Sequence, residues 1–368
     1  MISLTLTKAQ LITPLATVAG AIDKKQSLAI LSNILLSLST NQLLLTATDL
    51  EMEITACVHC DMELNSAQFT VPAKKFIDII RSFDEDALPT IQLTPDLVVI
   101  KCGRSQFKLS TLPADNFPLA EDEQNEVEFC IARVSLIHLL QSTHFAMAQQ
   151  DVRAYLNAML FELDAELITT VTTDGHRMAV CKLPFKQSFS HHRYLLPKKG
   201  VQEMLHLLNT VNDDQVSIAA GKNHFKLITK EYSFQSRLIE SRFPAYGKAI
   251  PRQLDKFVLL DSDVLKRALS RIIILANEKS RAIMLHLQHD ALTLIAKNQE
   301  QEEAMETLVA TTEGEEIKIG INAGYLLDVL NFLSDSQVRI SMSTTENSIL
   351  VESLQNENYQ YIIMPMKL

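Results

Sequence analysis

The chain contains no tryptophan, and only 9 glycines, 11 prolines and 5 cysteines among its 368 residues. Without Trp and without basic and aromatic residues interleaved, a base-stacking platform for single strands has no material. The few glycines form neither Gly-x-Gly-x-x-Gly nor Gly-x-x-x-x-Gly-Lys-Ser/Thr, so phosphate-cradling loops are missing. Low Gly and Pro with 47% hydrophobic and 21% charged residues exclude collagen-like, mucin-like and disordered chains. An odd, scattered set of cysteines (Cys57, Cys60, Cys102, Cys130, Cys181) makes no disulfide framework and fits a reduced, cytoplasmic protein. No apolar run reaches the roughly 18 residues of a membrane span. The opening Met1-Ile2-Ser3-Leu4-Thr5-Leu6 lacks the basic start and long apolar stretch expected of a secretory leader. Positive charge is in deficit, 34 Lys and Arg against 44 Asp and Glu. A net −10 argues against coating nucleic acid with the whole surface, and leaves a local basic face possible.

What is present is a threefold repeat. Strand-like runs end in a polar residue at Asp49, Asp174 and Asn298, spaced 125 and 124 apart. A second anchor, starting at Val71-Pro72-Ala73, Leu196-Pro197-Lys198 and Ile321-Asn322-Ala323, recurs at 125 and 125. Pro or Asn followed by apolar residues at helical intervals reads as a strand turning into a helix. Each third also opens on a helix. Thr7 with Gln10 makes a capping box despite Pro14, and the counterparts start at Ser135 and Asp263. Period-two segments at Ile34 to Ser39, Met52 to Val58, Val98 to Leu109 and Gln337 to Met342 fill the intervals. Two helices and about eight short strands per third favour α+β architecture, antiparallel sheet with helices on one face.

The six helix-bearing windows (residues 5–26, 72–83, 133–149, 198–208, 261–281 and 322–333) together carry +7, which leaves −17 for the rest. Converging helical faces would form a positive track for a polyanion; lysines placed for solubility are the plainer alternative. With no recognition helix rich in Arg, Asn and Gln, any nucleic-acid contact is expected on the backbone.

Candidate chemistry is thin. Cys57-Val58-His59-Cys60 has the spacing of a zinc or dithiol motif, but a closed zinc site needs a second ligand pair, and ordinary strand thiols are expected. Thr173-Asp174-Gly175-His176-Arg177 groups a carboxylate, an imidazole and a guanidinium on an Asp-Gly turn without a nucleophile elbow, so display to a partner is favoured over catalysis. His191-His192 has no Glu at metal-ligand spacing, and Glu300-Gln301-Glu302-Glu303 is either a solvated turn or half of a charged interface.

Five stretches carry a resemblance over nearly the whole chain: Thr46 to Glu53, Phe107 to Pro118, Thr173 to Arg177, Ser241 to Tyr246, and Ile362-Ile363-Met364-Pro365-Met366-Lys367-Leu368. With the repeat, they make the sequence resemble the bacterial DNA polymerase III beta subunits, the sliding clamps of DNA replication. The resemblance implies three similar clamp domains (1–125, 126–252 and 253–368), each of antiparallel sheet with two helices, and a head-to-tail homodimer closing into a six-domain ring. It implies a non-enzymatic processivity factor, without cofactor or metal, threaded by double-stranded DNA. The expected partners are the replicative polymerase alpha subunit, the clamp loader, and other polymerases, mismatch repair proteins and ligase carrying short linear motifs. A ring-shaped interaction scaffold that does not act on DNA is the alternative, and an enzyme using His176 a third class.

Residue by residue, the resemblance implies a partner cleft at Leu156, Thr173, Gly175, His176, Arg177, Met178, Pro244, Ala249, Ile362, Met364, Pro365, Met366, Lys367 and Leu368. Its methionines suit a docking site shared by several peptides. DNA-facing positions are Lys25, Lys75, Gln149, Lys198, Lys199, Lys279 and Arg281. The dimer edge is expected at Lys75, Arg104, Ile274 and Leu275 with Glu300, Glu302 and Glu303. Ala249 and Gln106 depart from the Val and Arg that the family pattern often has there.

Overall fold

A computed structural model of the chain describes residues 2–22, 28–60, 67–94, 96–121, 123–333 and 336–367. Lys25 and Leu368, expected at the DNA face and in the cleft, lie outside the described residues.

Six α-helices occur among the described residues: α1 (Lys8–Val18), α2 (Ala73–Ser82), α3 (Arg133–Gln141), α4 (Lys198–Thr210), α5 (Ser262–Ile272) and α6 (Ala323–Phe332). The capping box at α1 forms as the spacing requires: Thr7 Oγ1 accepts the Gln10 amide at 3.1 Å, and Gln10 Oε1 accepts the Thr7 amide at 2.9 Å. Pro14 sits inside α1 without ending it, held by Leu11, Leu15 and Val18 buried on either side. The second helix of each repeat follows a strand directly, at Pro72, Pro197 and Asn322. The start of α5 differs from the expectation at Asp263. Asp261 is the cap, accepting the Val264 amide at 2.8 Å, and Asp263 lies in the first turn, where its charge favours the helix dipole.

Contacts gather the chain into two compact units. One holds Met1–Val134 and Lys199–Leu238, the other Ser135–Lys198 and Ile239–Leu368. The middle third is divided because its strands enter two different sheets. In the first unit, Met52–His59 pairs with Tyr232–Arg237 (Thr55 opposite Ser233, Ile54 opposite Phe234), fusing strands from two thirds into an eight-stranded sheet. In the second, Arg177–Pro197 pairs with Tyr359–Ile363 (Met178 opposite Ile362, Val180 opposite Gln360) in a seven-stranded sheet. Each unit also has a four-stranded sheet: Ile2–Thr5, Thr90–Leu93, Leu97–Cys102 and Ser105–Ser110 in the first, and Glu303–Val309, Ala291–Lys297, Ala282–Gln288 and Ile317–Asn322 in the second. The described neighbouring strands pair antiparallel.

Period-two alternation holds along Met52–His59, where Met52, Ile54, Ala56 and Val58 are buried and the residues between them are not. Val98 to Leu109 is not one strand. Gly103, at φ +55°, turns the chain between Leu97–Cys102 and Ser105–Ser110. The middle third has two long strands, Ala158–Thr173 and Arg177–Pro197, where a series of short ones is expected. Its register shifts on either side of Ala165, whose φ of +48° marks a bulge that lets the long hairpin bend.

Candidate partner-docking cleft

The long hairpin turns at Asp174-Gly175-His176, the Asp-Gly signal of the sequence. Asp174 Oδ1 accepts the amides of His176 at 2.9 Å and Arg177 at 3.0 Å, while Thr173 Oγ1 accepts the Gly175 amide at 3.0 Å. Gly175 has φ +90°, and a Cβ there would lie 3.4 Å from the Arg153 Nη2 atom and 3.8 Å from Leu156 Cδ1. Those are ordinary contact distances, so the backbone conformation, and not the space, calls for glycine.

Beside this turn is a cavity of about 190 Å³ whose apolar lining includes Leu156, Met178, Phe243, Pro244, Ile362 and Met364. Thr173, Gly175, Arg177 and Ala249, also expected from the resemblance, complete it together with Arg153, Tyr155, Ala245, Tyr246 and Ser348. Those last five and Phe243 were not in the expected set. Phe243, Ala245 and Tyr246 fall within the Ser241 to Tyr246 stretch, and Tyr155 precedes Leu156, so adjacency was the available signal. The floor is a buried cluster that includes Ala158, Leu160, Val171, Val180, Leu195 and Leu350. Tyr155 meets Phe243 edge to face at 6.2 Å. Arg153 forms a two-pronged pair with Asp151, both contacts 3.0 Å, which holds the Asp151 carboxyl down to about 2.

Arg177 reaches the cleft with its fork already occupied. Its Nε donates to Asp174 Oδ2 at 3.0 Å, Nη2 donates to the Phe145 carbonyl at 2.7 Å, and Nη1 pairs with Asp328 on α6. Its guanidinium carbon lies 4.4 Å from the centre of the Tyr325 ring. Arg177, expected at the partner cleft, lines the cavity and at the same time ties the turn to α6.

The end of the chain divides its roles. Met364 lines the cavity and is 46% exposed, and its amide donates to the His176 carbonyl at 2.9 Å. His176 therefore meets the tail through its backbone and is not among the cavity-lining residues. Pro365, Met366 and Lys367 border a second, more open hollow of about 660 Å³ with Met284, Lys318 and Gly320. There the Met366 amide donates to the Gly320 carbonyl at 2.7 Å, tying the tail to the edge of the four-stranded sheet.

Of the expected DNA-facing residues, Lys75, Gln149, Lys279 and Arg281 are exposed. Lys198 is half-buried and donates to the carbonyls of Met147 at 3.1 Å and Ala148 at 3.3 Å; burial, and then Arg177, lower its pKa. Lys199 pairs with Asp49, whose side chain is 6% exposed. At the expected dimer edge, Arg104 lies exposed on the turn after Gly103, Ile274 is 75% exposed and Leu275 half-buried. Glu300 and Glu302 lie on a turn whose Asn298 Oδ1 accepts the Glu302 amide at 2.9 Å, and Glu303 is 3.4 Å from Lys297. The Cys57 thiol, half-buried in its strand, is pushed up in pKa by burial and by Glu231, and the described residues contain no cluster of three or more metal-ligating side chains.

A cavity with an apolar floor, a methionine at its mouth and a charged group locked into its wall has the make-up of a docking site for a segment of another chain, on a protein built from repeated antiparallel domains. Family models place that class. The N-terminal, central and C-terminal domains of the DNA polymerase III beta subunit match residues 2–121, 130–245 and 247–367. The chain belongs to the DNA polymerase III beta subunit family. It is 42% identical over 359 residues to the beta sliding clamp of Proteus mirabilis, covering 98% of each chain. Against the beta sliding clamp of Escherichia coli K12 it is 41% identical over 364 residues, covering 99% of each. A crystal structure of the Pseudomonas aeruginosa DNA polymerase III subunit beta superimposes with a TM-score of 0.96 at 40% identity, covering 100% of both chains. A second Pseudomonas aeruginosa clamp structure, bound to griselimycin, gives 0.95 at 42% identity, covering 100% of this chain and 99% of that one.

Proposed function

We propose that this chain is a DNA polymerase processivity factor, a sliding clamp that encircles duplex DNA without sequence preference and tethers the replicative polymerase and other replication and repair proteins through the cleft beside Gly175. In this reading it is a cytoplasmic, non-catalytic accessory subunit. Its domains are bounded at 1–125, 126–252 and 253–368, and two copies join head to tail into a six-domain ring.

The cleft carries the reading. Its Leu, Met, Phe, Pro and Ile lining offers burial to short apolar anchors, and the adaptable Met364 side chain suits several related peptides. The clamp loader, polymerase alpha subunit, other polymerases, mismatch repair proteins and ligase are partners that would share it.

The repeat supports the dimer. Asp49 Oδ1 accepts the amides of Glu51 at 2.9 Å and Met52 at 2.8 Å, the same turn that Asp174 makes, while Asn298, at the matching position of the last third, accepts the Glu302 amide four residues on. Asp49 then pairs with Lys199 on α4, and Asp174 with Arg177, which joins α6. Each of these turns therefore engages the second helix of the next repeat. The Asn298 turn carries exposed Glu300, Glu302 and Glu303, and α2, the second helix of the first third, presents exposed Lys74 and Lys75. A second copy supplies the match. The strands Ser105–Ser110 and Glu303–Val309 are sheet edges suited to continue across that junction.

Retention on circular DNA tests the reading. Loaded protein should stay on a closed circle and leave once it is linearised, and Ala at Lys75, Lys279 and Arg281 should lower binding alike on unrelated sequences. Retention that survives linearisation, or binding confined to one sequence, would overturn it. A ring with an intact cleft but no retention would favour the scaffold that does not act on DNA.

A further inference from the structure

Glu162 interrupts an apolar face. Ala158 and Leu160 on one long strand and Leu195 on the other belong to the cluster beneath the cleft. Strand alternation places Glu162 and Arg193 next on the same face, and they are register partners. The Glu162 side chain is only 13% exposed, a costly position for a carboxylate unless its oxygens are used. They are. Oε1 accepts from Arg193 Nε at 3.1 Å and lies 3.2 Å from His191 Nε2, while Oε2 accepts the Tyr246 hydroxyl at 2.7 Å.

Tyr246 joins two environments: its ring packs on the apolar cluster and lines the cleft, and its hydroxyl ends on Glu162. The turn it begins is short and internally bonded, the Ala249 amide donating to the Tyr246 carbonyl at 2.9 Å and the Lys248 amide to the Ala245 carbonyl at 3.1 Å. Holding the Tyr246 ring therefore holds Pro244 and Ala249, which line the same wall. We propose that Glu162, outside the cavity lining, is a positioning residue for the partner cleft, fixing Tyr246 and through it the Pro244–Ala249 wall in the shape that receives a peptide. Burial and the Glu162 carboxylate together push the Tyr246 phenol well above its ordinary pKa, so the hydroxyl stays a donor. This inference rests on the cleft being a peptide site.

The experiment uses the full-length chain and a fluorescein-labelled decapeptide carrying Leu and Phe near its carboxyl end, followed by anisotropy and stopped-flow dissociation, with sedimentation and thermal unfolding on the same samples. Binding by the unsubstituted protein, competed by the unlabelled peptide and lost in Met364→Glu, tests the cleft itself; its absence defeats the function reading and not the role of Glu162. Given binding, Glu162→Leu and Tyr246→Phe should each weaken the peptide about fivefold through faster dissociation, and the double variant should lose no more than either single one, as coupled residues do. Glu162→Gln, whose amide oxygen still accepts from the phenol, should restore most of the affinity. Sedimentation and the unfolding midpoint should remain close to those of the unsubstituted protein. Should Glu162→Leu fail to fold, Tyr246→Phe and Glu162→Gln decide alone. Unchanged affinity in Tyr246→Phe, losses that add, or a Glu162→Gln variant as weak as Glu162→Leu would overturn the proposal.

Discussion

Arg177 shows how much one side chain can hold. Its fork ties the hairpin turn, the Phe145 carbonyl and α6 together with 12% of the side chain exposed. Removing one partner of a buried pair leaves the others uncompensated, at a cost of roughly 3–5 kcal/mol where burial is complete. Asp328 is 43% exposed, which lowers the expectation for Arg177→Ala. Chemical denaturation should show a loss of about 2–3 kcal/mol, and Arg177→Lys should recover little of it because a lysine lacks the fork. An unchanged midpoint would mean the network contributes nothing. His138 on α3 gives a residue-scale pH effect, packed 5.4 Å from the Phe332 ring and 5.3 Å from the Tyr359 ring. Burial lowers its pKa from the ordinary 6.5, so the unfolded chain binds the proton more readily. Its share of stability is complete above pH 6.5 and is lost as pH falls from there through the lowered native value. Stability measured from pH 7.5 to 5 should fall less steeply in His138→Leu than in the unsubstituted protein, and parallel curves would refute the assignment.

At the scale of elements, local signals and packing divide the work. The Thr7 and Gln10 pair closes the start of α1 on its own, so Thr7→Ala should cost about 1 kcal/mol by denaturant unfolding, with Thr7→Ser near neutral. Pro14 is the opposite case, a residue whose intrinsic tendency is to end a helix. There α1 persists because Leu11 and Leu15 are wholly buried, and packing outweighs propensity. Strand length follows the same division. Alternation marks Met52–His59, but nothing in a period-two pattern says that Ala158–Thr173 and Arg177–Pro197 run on through the bulge at Ala165.

At the scale of the molecule, the repeat supplies the assembly argument and one prediction. Glu302→Lys with Glu303→Lys should shift sedimentation from dimer toward monomer at micromolar concentration. The shift should be larger at low salt, because screening at high ionic strength weakens the original contacts as well. Peptide binding at the cleft should survive, since none of its lining residues is in that segment. A double variant that remains dimeric at all salt concentrations would place the interface elsewhere.

The sequence by itself determined the threefold period, the strand-to-helix joints at Pro72, Pro197 and Asn322, and the Asp-Gly turn. Each is written in residues close together or at a fixed spacing, where backbone preference and periodicity act directly. The family motifs extended that reading to Pro244, Ile362 and Met364, which lie far apart in the chain. Only the tertiary structure decided what distant side chains do to one another. Lys199, expected to face DNA, pairs with Asp49, and Lys198 donates to two backbone carbonyls. Arg177, at the wall of the cleft, is also tied to Asp328, and Glu162, which no motif singled out, lies under Tyr246. Charge and hydrogen-bonding capacity belong to the residue, but their partners are set by sheet register and helix packing, which bring together groups that a one-dimensional pattern leaves 50 to 150 positions apart.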